Sequence, residues 1–160
     1  MALLSKKTDY ALLILVYLHN HGTGASAREI ADEYHLSRPF VANILKELCQ
    51  RGFVASHRGV KGGYVLTRSA GSITIKEILQ NLEEGFQLAS CAGLEHEENH
   101  EDCTMLGTCP IKLPIQDLHR RLLEVLERVT LADLIQPRMN MQTLQTVLTV
   151  KDSLNSGSIS

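Results

Sequence analysis

Apolar positions in the N-terminal third of the chain recur at spacings of three and four, and they predict three successive helices. The first is expected over about Lys6–Asn20, and Gly22 and Gly24 after it are expected to end the helix. The second begins at Ser26, which forms with Glu29 a capping box that satisfies free amides at a helix start. The third has Ser37 as its cap and ends before Gly52. Two short helices joined by a tight turn are typical of a helix-turn-helix.

A Gly-rich segment between two apolar runs follows the third helix. Phe53–Ser56 and Tyr64–Leu66 have strand-forming composition, and His57–Gly63 between them has the glycines of a turn. A hairpin directly after a helix-turn-helix is the wing of a winged helix. The pattern therefore predicts a mainly α fold with a small β-hairpin, built as a winged helix-turn-helix with a long helix after it.

Helical spacing returns twice in the second half of the chain. Thr74 and Glu77 form another capping box, which opens a helix expected to end near Glu84. A longer helix is expected over about Pro114–Val129, and the capping sequence Thr130–Asp133 predicts one further turn. The end of the chain is rich in Ser, Thr, Gln and Asn, as in a flexible tail. We expect a winged-helix domain at residues 1–84, followed by a cysteine-containing loop at 85–113. A long-helix region at 114–136 and a flexible tail at 137–160 complete the chain.

Three cysteines lie in the predicted loop with the spacing C-x11-C-x5-C. Cys91, Cys103 and Cys109 are soft ligands of the kind that bind iron–sulfur clusters and zinc. Glycines in the loop allow it to wrap around a bound group. Cys49, at the end of the third helix, is interpreted as a core thiol.

The chemistry of the loop leaves several ligand sets open. A cluster with four protein ligands needs a fourth donor, and the candidates are Asp9, His96, His100 and Glu101. Zinc would use the three thiolates with His96 or His100, although zinc cysteines usually occur in close pairs, which this loop lacks. Cys103 and Cys109 could instead form a redox dithiol. Ligand preference favours the cluster over both alternatives.

Composition and charge narrow the class of protein. With 160 residues, of which 44% are apolar, the chain can bury one core, and no run is long enough to cross a bilayer. No signal peptide is recognised, so a cytoplasmic location with reduced thiols is expected. Residues 1–70 carry +4 and residues 71–110 carry −7, so the N-terminal half can attract phosphate despite a net charge of −2.

The third helix, as the second of the helix-turn-helix, is expected to enter the major groove by its N-terminal end. The non-core positions there are Ser37, Arg38, Pro39, Ala42, Asn43 and Lys46. Asn43 can pair with adenine, Arg38 with guanine or phosphate, and Lys46 with phosphate. The wing tip adds three further predicted contacts, Arg58, Gly59 and Lys61. A cation on such a Gly-rich loop can enter the minor groove.

Several segments resemble the IscR/NsrR-type (Rrf-two) family of bacterial iron–sulfur winged-helix regulators. They are LSKKTDYALLILVYL, LSRPFVANILKEL, the wing RGVKGGYVLTR and, after the loop cysteines, LERVTLADLI. They occur in the family's order over about residues 1–136. The resemblance implies a homodimer built on the long helix, which becomes the dimerisation helix, and one iron–sulfur cluster in each subunit.

The resemblance also assigns roles to individual residues. Cys91, Cys103 and Cys109 match the family's three cluster ligands. Asp9 of the other subunit matches the fourth ligand of nitric-oxide-sensing members, which carry a 4Fe–4S cluster. Members with a 2Fe–2S cluster have a His at the position of Lys112, so 4Fe–4S is favoured here over 2Fe–2S.

Two departures from the family pattern qualify this assignment. The eleven residues between the first two cysteines exceed the interval in many members, which keeps His96 and His100 as alternative ligands. The wide interval looks most like members that govern iron–sulfur assembly operons. Ala42 stands where some members have a Glu that makes DNA specificity depend on the cluster. A simpler scheme is therefore expected, in which the loaded protein binds DNA and the damaged protein releases it.

The sequence thus predicts a cluster-sensing transcription regulator that represses from a double-stranded DNA operator. Iron scarcity, oxidants or nitric oxide would destroy the cluster and release the DNA. The alternative is a cluster-free winged-helix regulator with a thiol switch or a structural zinc. No membrane partner is expected. Because the chain contains no P-loop, dinucleotide-binding fingerprint or convincing catalytic triad, it is predicted not to be an enzyme.

Overall fold

The structure is a computed structural model that describes residues 4–57, 62–83, 86–89, 92 and 108–135. Its helices are α1 Lys6–Asn20, α2 Ala27–Glu33, α3 Arg38–Gln50, α4 Ile75–Leu82, α5 Lys112–Arg128 and α6 Leu131–Ile135. The strands are β1 Val54–His57 and β2 Gly63–Leu66, which pair antiparallel. A short 3₁₀ helix at Ala70–Ser72 joins the hairpin to α4. The predicted mainly α fold with a small hairpin is confirmed.

One core gathers the apolar faces of the first three helices and the base of the hairpin. On α1, Ile14 and Leu15 are fully buried, and on α3 Leu45 and Leu48 are fully buried against them. Phe53, at the entrance to the wing, is also fully buried. Burial of a large apolar side chain contributes about 1.5–3 kcal/mol, so these positions hold α3 at a fixed angle to α1.

Two of the predicted helix starts differ in their capping. At α2 the capping box is complete, because the Ser26 hydroxyl accepts from the Glu29 amide at 3.2 Å and the Glu29 carboxylate accepts from the Ser26 amide at 2.7 Å. At α3, Ser37 occupies the cap position but its side chain makes no capping bond, so the predicted cap is wrong in that respect. Pro39 contributes to this, because its ring nitrogen has no N–H to donate.

The start of α4 shows half of the predicted capping box. The Thr74 hydroxyl accepts from the Glu77 amide at 3.1 Å, as expected. The Glu77 carboxylate accepts instead from the Arg68 guanidinium at 2.5 Å. This ion pair ties the chain that leaves the wing to α4.

The wing is anchored to the segment between α1 and α2. Its strands pair from Val54 opposite Leu66 to His57 opposite Gly63. Ala25 extends this ladder, since its amide donates to the Tyr64 carbonyl at 3.1 Å and its carbonyl accepts from the Tyr64 amide at 2.8 Å. Strand β2 is therefore fixed by backbone bonds to the segment that leads into α2.

The long helix α5 begins at Lys112, two residues before the predicted start at Pro114. The proline is tolerated because it lies in the first turn, where amides have no helical partner. Lys76 at the start of α4 pairs with Glu127 near the end of α5 at 3.0 Å, so the two helices run antiparallel.

After α5 the chain returns to the core. The Ile75 amide donates to the Val129 carbonyl at 2.8 Å, and the Leu131 amide donates to the Ile73 carbonyl at 2.8 Å. Leu131, the first residue of α6, is fully buried. Within the described part of the chain, no helix is both long and apolar enough to cross a membrane.

Candidate nucleic-acid interface and cysteine site

The outer face of α3 presents all six of its predicted DNA contacts. The buried face consists of Val41, Ile44, Leu45 and Leu48. The predicted contacts are all exposed: Ser37 at the cap, then Arg38, Pro39, Ala42, Asn43 and Lys46 on the helix. Positions 38, 42 and 46 follow one another at one-turn intervals, so these side chains form a continuous strip along the helix. That strip is free to lie in a groove.

Arg38 is held in the free protein by a neighbouring carboxylate. Its guanidinium lies 3.4 Å from Asp32 on α2, and both side chains are 57% exposed. Arg28 lies 3.5 Å from the same carboxylate. Exposed pairs of this kind contribute at most about 1 kcal/mol, so Arg38 can exchange Asp32 for a base edge or a phosphate.

A shallow cleft of about 480 Å³ lies on the same helix, and its lining residues are Asn43, Lys46, Glu47, Gln50 and Arg51. Glu47 accepts a hydrogen bond from the Lys7 ammonium of α1 at 3.1 Å. A carboxylate beside predicted phosphate contacts is unfavourable for DNA, and Lys7 neutralises it. Nothing in the local sequence pattern links positions 7 and 47, so this pair is a feature of the tertiary structure alone.

At the wing, the structure describes the base of the hairpin. The predicted contacts Arg58, Gly59 and Lys61 lie outside the described residues, in the connection between His57 and Gly63. The strand positions that face each other are fixed by the ladder, from Val54 opposite Leu66 to His57 opposite Gly63.

Cys109 is the loop cysteine that falls within the described residues. It is half-buried, forms no disulfide, and its carbonyl accepts from the Lys112 amide at 3.3 Å, immediately before α5. The remaining predicted or alternative donors of the loop lie outside the described residues: Cys91, Cys103, His96, His100 and Glu101. Cys49 packs half-buried against the core, as predicted, and burial raises the pKa of its thiol.

Asp9, the predicted fourth ligand, is exposed in the first turn of α1. Its side chain is therefore accessible to a second subunit. Among the described side chains of this single protomer, no three His, Cys, Asp or Glu residues are grouped to hold a metal ion. Thiolates such as those of Cys91, Cys103 and Cys109 are the side chains that hold iron–sulfur clusters in proteins.

The carboxylate of Glu83 lies at the end of α4, just before the cysteine segment. It accepts from the Ser5 amide at 2.7 Å and is hydrogen-bonded to Thr8. Partial burial would raise its pKa, but these hydrogen bonds and the attraction of Lys7 outweigh the burial and lower it. Glu83 therefore holds the N-terminal turn of α1 in place as a carboxylate. No sequence motif indicated this contact.

His119 is the one buried histidine among the described residues. It is 4% exposed on the inner side of α5, where its ring lies 6.5 Å from that of Phe86. Its Nδ1 has no hydrogen-bond partner in the described part of the chain. Burial lowers the pKa of His119, so the neutral form is favoured in the folded protein.

The outer side of α5 carries a strip of apolar residues. Ile111, Leu118 and Val125 are seven residues apart and are 59%, 53% and 37% exposed. Ile115 and Leu122 lie between them and are half-buried. Apolar residues alternating at three and four form the seam of a coiled coil. We refer to these five residues as the α5 seam.

Polar residues beside the α5 seam are paired with one another. Asp117 pairs with Arg121 one turn further along the helix, at 2.8 Å. Glu124 pairs with Arg120, one turn before it, and not with Arg128, one turn after it. Arg120 also binds Asp117, and hydrogen bonds from this guanidinium lower the pKa of that carboxyl.

Comparison with known proteins decides the family. The family model Rrf2, an iron-dependent transcriptional regulator, matches residues 4–137. The chain belongs to the Rrf2 family. This confirms the predicted resemblance, and it confirms that this Rrf2 protein is a winged-helix, DNA-binding transcription regulator and not an enzyme.

Individual relatives cover most of the chain. The transcriptional regulator NsrR of Oceanobacillus iheyensis is 32% identical over 146 residues, which are 90% of this chain and 97% of the relative. CymR, the global cysteine regulator of B. subtilis, is 31% identical with a TM-score of 0.63, and the match covers 84% of this chain and 97% of CymR. T. potens IscR has the same fold, with 24% identity, a TM-score of 0.61, and coverage of 98% and 92%.

Proposed function

We propose that this Rrf2-family protein is a dimeric regulator whose DNA affinity is set by an iron–sulfur cluster on Cys91, Cys103 and Cys109. The observation that carries the proposal is the match to an iron-dependent family in a chain with three cysteines between α4 and α5. The loop cysteine described in the structure, Cys109, forms no disulfide and lies just before α5. A 4Fe–4S form is favoured over 2Fe–2S, because Lys112 cannot serve as a ligand while charged.

The DNA-reading element in this proposal is the exposed strip of α3. Its N-terminal half carries a guanidinium at Arg38 and an amide at Asn43, which suit guanine and adenine edges. Asn43→Ala should weaken binding to the cognate duplex by about 1–3 kcal/mol and relax specificity at one base pair. Arg128→Ala, an exposed change on α5, is the control and should leave binding unchanged. Fluorescence anisotropy with a duplex selected from a random-sequence library measures both, and equal affinities would contradict the reading role of α3.

The wing is proposed to contact the minor groove or its phosphates through Arg58, Gly59 and Lys61. Arg58→Ala should lower affinity and reduce the slope of log affinity against log salt by about one unit if the guanidinium meets a phosphate. Measurements at several salt concentrations test this. A slope equal to that of the wild-type protein would exclude the phosphate contact.

The homodimer is proposed to form through the α5 seam. Apolar side chains in a heptad pattern leave water when a second copy of the helix packs against them, and this burial stabilises the pair of helices. Leu118→Glu should convert the dimer to a monomer in analytical ultracentrifugation, because it would bury a charge at the centre of the seam. Leu113→Glu is the matched control, since Leu113 is 75% exposed and lies outside the seam. A dimer that survives Leu118→Glu would show that another surface joins the subunits.

The cluster would link the two subunits to the reading helices. When bound, the iron–sulfur cluster would be a cofactor that iron scarcity, oxidants or nitric oxide can destroy. Three thiolates of one subunit and Asp9 of the other would hold it, so the ligands span the loop and the first turn of the partner's α1. Loss of these bonds would release that turn, and with it the orientation of α3 on the operator.

Anaerobic purification followed by native mass spectrometry tests the cofactor, because it gives the subunit number and the cluster composition together. We expect iron and acid-labile sulfide in equal amounts in the wild-type dimer. Cys103→Ala should abolish visible cluster absorption and weaken DNA binding. Cys49→Ala is the matched control. Because Cys49 packs against the core, this change should leave the visible absorption of the cluster intact. An iron-free protein that binds DNA fully in the absence of air would refute the proposal.

A second candidate function is favoured by the likeness to CymR, the global cysteine regulator. In that case Cys103 and Cys109 would form a thiol switch, or the three cysteines would hold a structural zinc. Metal analysis separates zinc from iron. An intramolecular disulfide, found by mass spectrometry after mild oxidation of iron-free protein, would support the switch if it also changed DNA affinity.

A further inference from the structure

The end of α4 and the start of α1 are joined by one carboxylate. Glu83 closes α4 and accepts from the Ser5 amide at 2.7 Å, and it is also hydrogen-bonded to Thr8. Thr8 is fully buried, and the Ser5 hydroxyl lies 3.2 Å from its hydroxyl oxygen. The first turn of α1 is thus fixed by a residue that stands immediately before the cysteine segment.

The same turn carries a contact to the reading helix. Lys7 lies between Ser5 and Thr8 in the chain, and its ammonium is 3.1 Å from the Glu47 carboxylate of α3. The two side chains are 38% and 27% exposed, so the pair is partly sheltered. Glu47 lines the cleft that also contains Asn43. The direction in which Lys7 extends depends on the position of the turn that Glu83 holds.

We propose that Glu83 is a positioning residue for DNA binding, which orients the first turn of α1 so that Lys7 neutralises Glu47 on α3. Without this neutralisation, a carboxylate would face the phosphates beside the predicted DNA contacts and repel them. This inference rests on the proposed reading role of α3. It also gives a path from the cysteine segment to α3, since Asp9 is in the same turn as Lys7.

Two substitutions of Glu83 separate its hydrogen bonds to the first turn of α1 from its negative charge. Glu83→Ala removes the acceptor for Ser5 and Thr8, so the turn is released. Glu83→Gln keeps an amide oxygen that accepts the same hydrogen bonds, and it should restore the positioning. Glu77→Ala is the matched control, because Glu77 is on the same helix but binds Arg68 and not α1.

The experiment measures affinity for the selected duplex in two backgrounds, wild-type and Glu47→Gln, with the full-length dimer. Glu83→Ala should weaken binding about threefold per subunit, or about tenfold for the dimer, the effect expected of an exposed charge pair. In the Glu47→Gln background, the same change should have no effect, because no carboxylate remains to neutralise. Lys7→Met should reproduce this pattern, which keeps the test available if Glu83→Ala folds poorly. Glu83→Gln and Glu77→Ala should bind as the wild-type protein does.

Two results would overturn the inference, and they differ from each other. A Glu83→Ala loss of equal size in both backgrounds would indicate a general structural role, independent of Lys7 and Glu47. Unchanged binding by Asn43→Ala would show that α3 is not the reading helix, so the proposed function and the inference would fail together. The positioning role is supported if Glu83→Ala weakens DNA binding in the wild-type background but not in the Glu47→Gln background, and if Asn43→Ala also weakens DNA binding.

Discussion

Replacing Gly63 with alanine should detach the wing from the helix-turn-helix. A Cβ built on Gly63 would lie 2.7 Å from the carbonyl carbon and oxygen of Ala25 and 3.1 Å from its nitrogen. Backbone atoms cannot rotate away as side chains do. Strand β2 and Ala25 would therefore have to separate by roughly 0.7 Å to reach an ordinary contact of 3.4 Å.

The cost of Gly63→Ala follows from the bonds that cross this contact. The Tyr64 amide and the Ala25 carbonyl are 2.8 Å apart, and the Ala25 amide and the Tyr64 carbonyl are 3.1 Å apart. A shift of that size moves both beyond good hydrogen-bond geometry. Each bond contributes about 0.5–1.5 kcal/mol net, so their loss amounts to about 2 kcal/mol. Alanine recovers about 0.4–1 kcal/mol by restricting the unfolded chain, which leaves a net loss of about 1–2 kcal/mol.

Urea unfolding followed by circular dichroism measures this loss, with Gly71→Ala as the matched control. No atom lies within 4 Å of a Cβ at Gly71, so that change should be neutral or slightly stabilising. The Gly63→Ala protein should also bind DNA more weakly, because the wing would no longer be held beside α3. Unfolding free energies for the two variants that agree within about 0.5 kcal/mol would refute the steric argument, given the accuracy of such extrapolations.

Further changes test the caps, the buried histidine and the surface pairs. Ser26→Ala should lower the free energy of unfolding by about 1 kcal/mol in urea melts, because the Glu29 amide loses its acceptor, and an unchanged midpoint would contradict the cap. Because burial lowers the pKa of His119 below its ordinary value of 6.5, the unfolded chain takes up the proton more readily, and stability should decline as pH falls through that value. His119→Leu should flatten this decline in thermal melts between neutral and mildly acidic pH; an identical pH profile would count against it. Lys76→Met, which breaks the pair with Glu127, should cost less than about 1 kcal/mol, and a larger loss would show that the pair is not a surface contact.

Local sequence determined the helices and their limits where the chemistry is confined to neighbouring residues. The capping box at Ser26 needs a partner only three residues away, and the structure contains it. Gly52 has a φ of +78°, which accounts for the end of α3 where the sequence placed it. The exposed positions of α3 also follow from its apolar spacing, because the buried residues fix which face remains outside.

Competition between several partners for one carboxylate decided what the local pattern could not. Glu77 was expected to complete a capping box, but Arg68 takes its carboxylate. Glu124 has possible partners on either side along the helix, and Arg120 rather than Arg128 binds it. Where several partners are available to a carboxylate, the side-chain geometry in the folded protein determines which one binds. The spacing of residues along the sequence does not specify that geometry.

The sequence by itself specified a winged helix-turn-helix, its reading face and a set of cysteines, since periodicity and residue chemistry are properties of short segments. Tertiary structure alone decided how these parts are connected. The bridge from Ala25 to Tyr64, the hold of Glu83 on the first turn of α1, and the pairing of Lys7 with Glu47 join residues far apart in the chain. Such contacts depend on how the core orients whole helices, and no local pattern encodes that orientation.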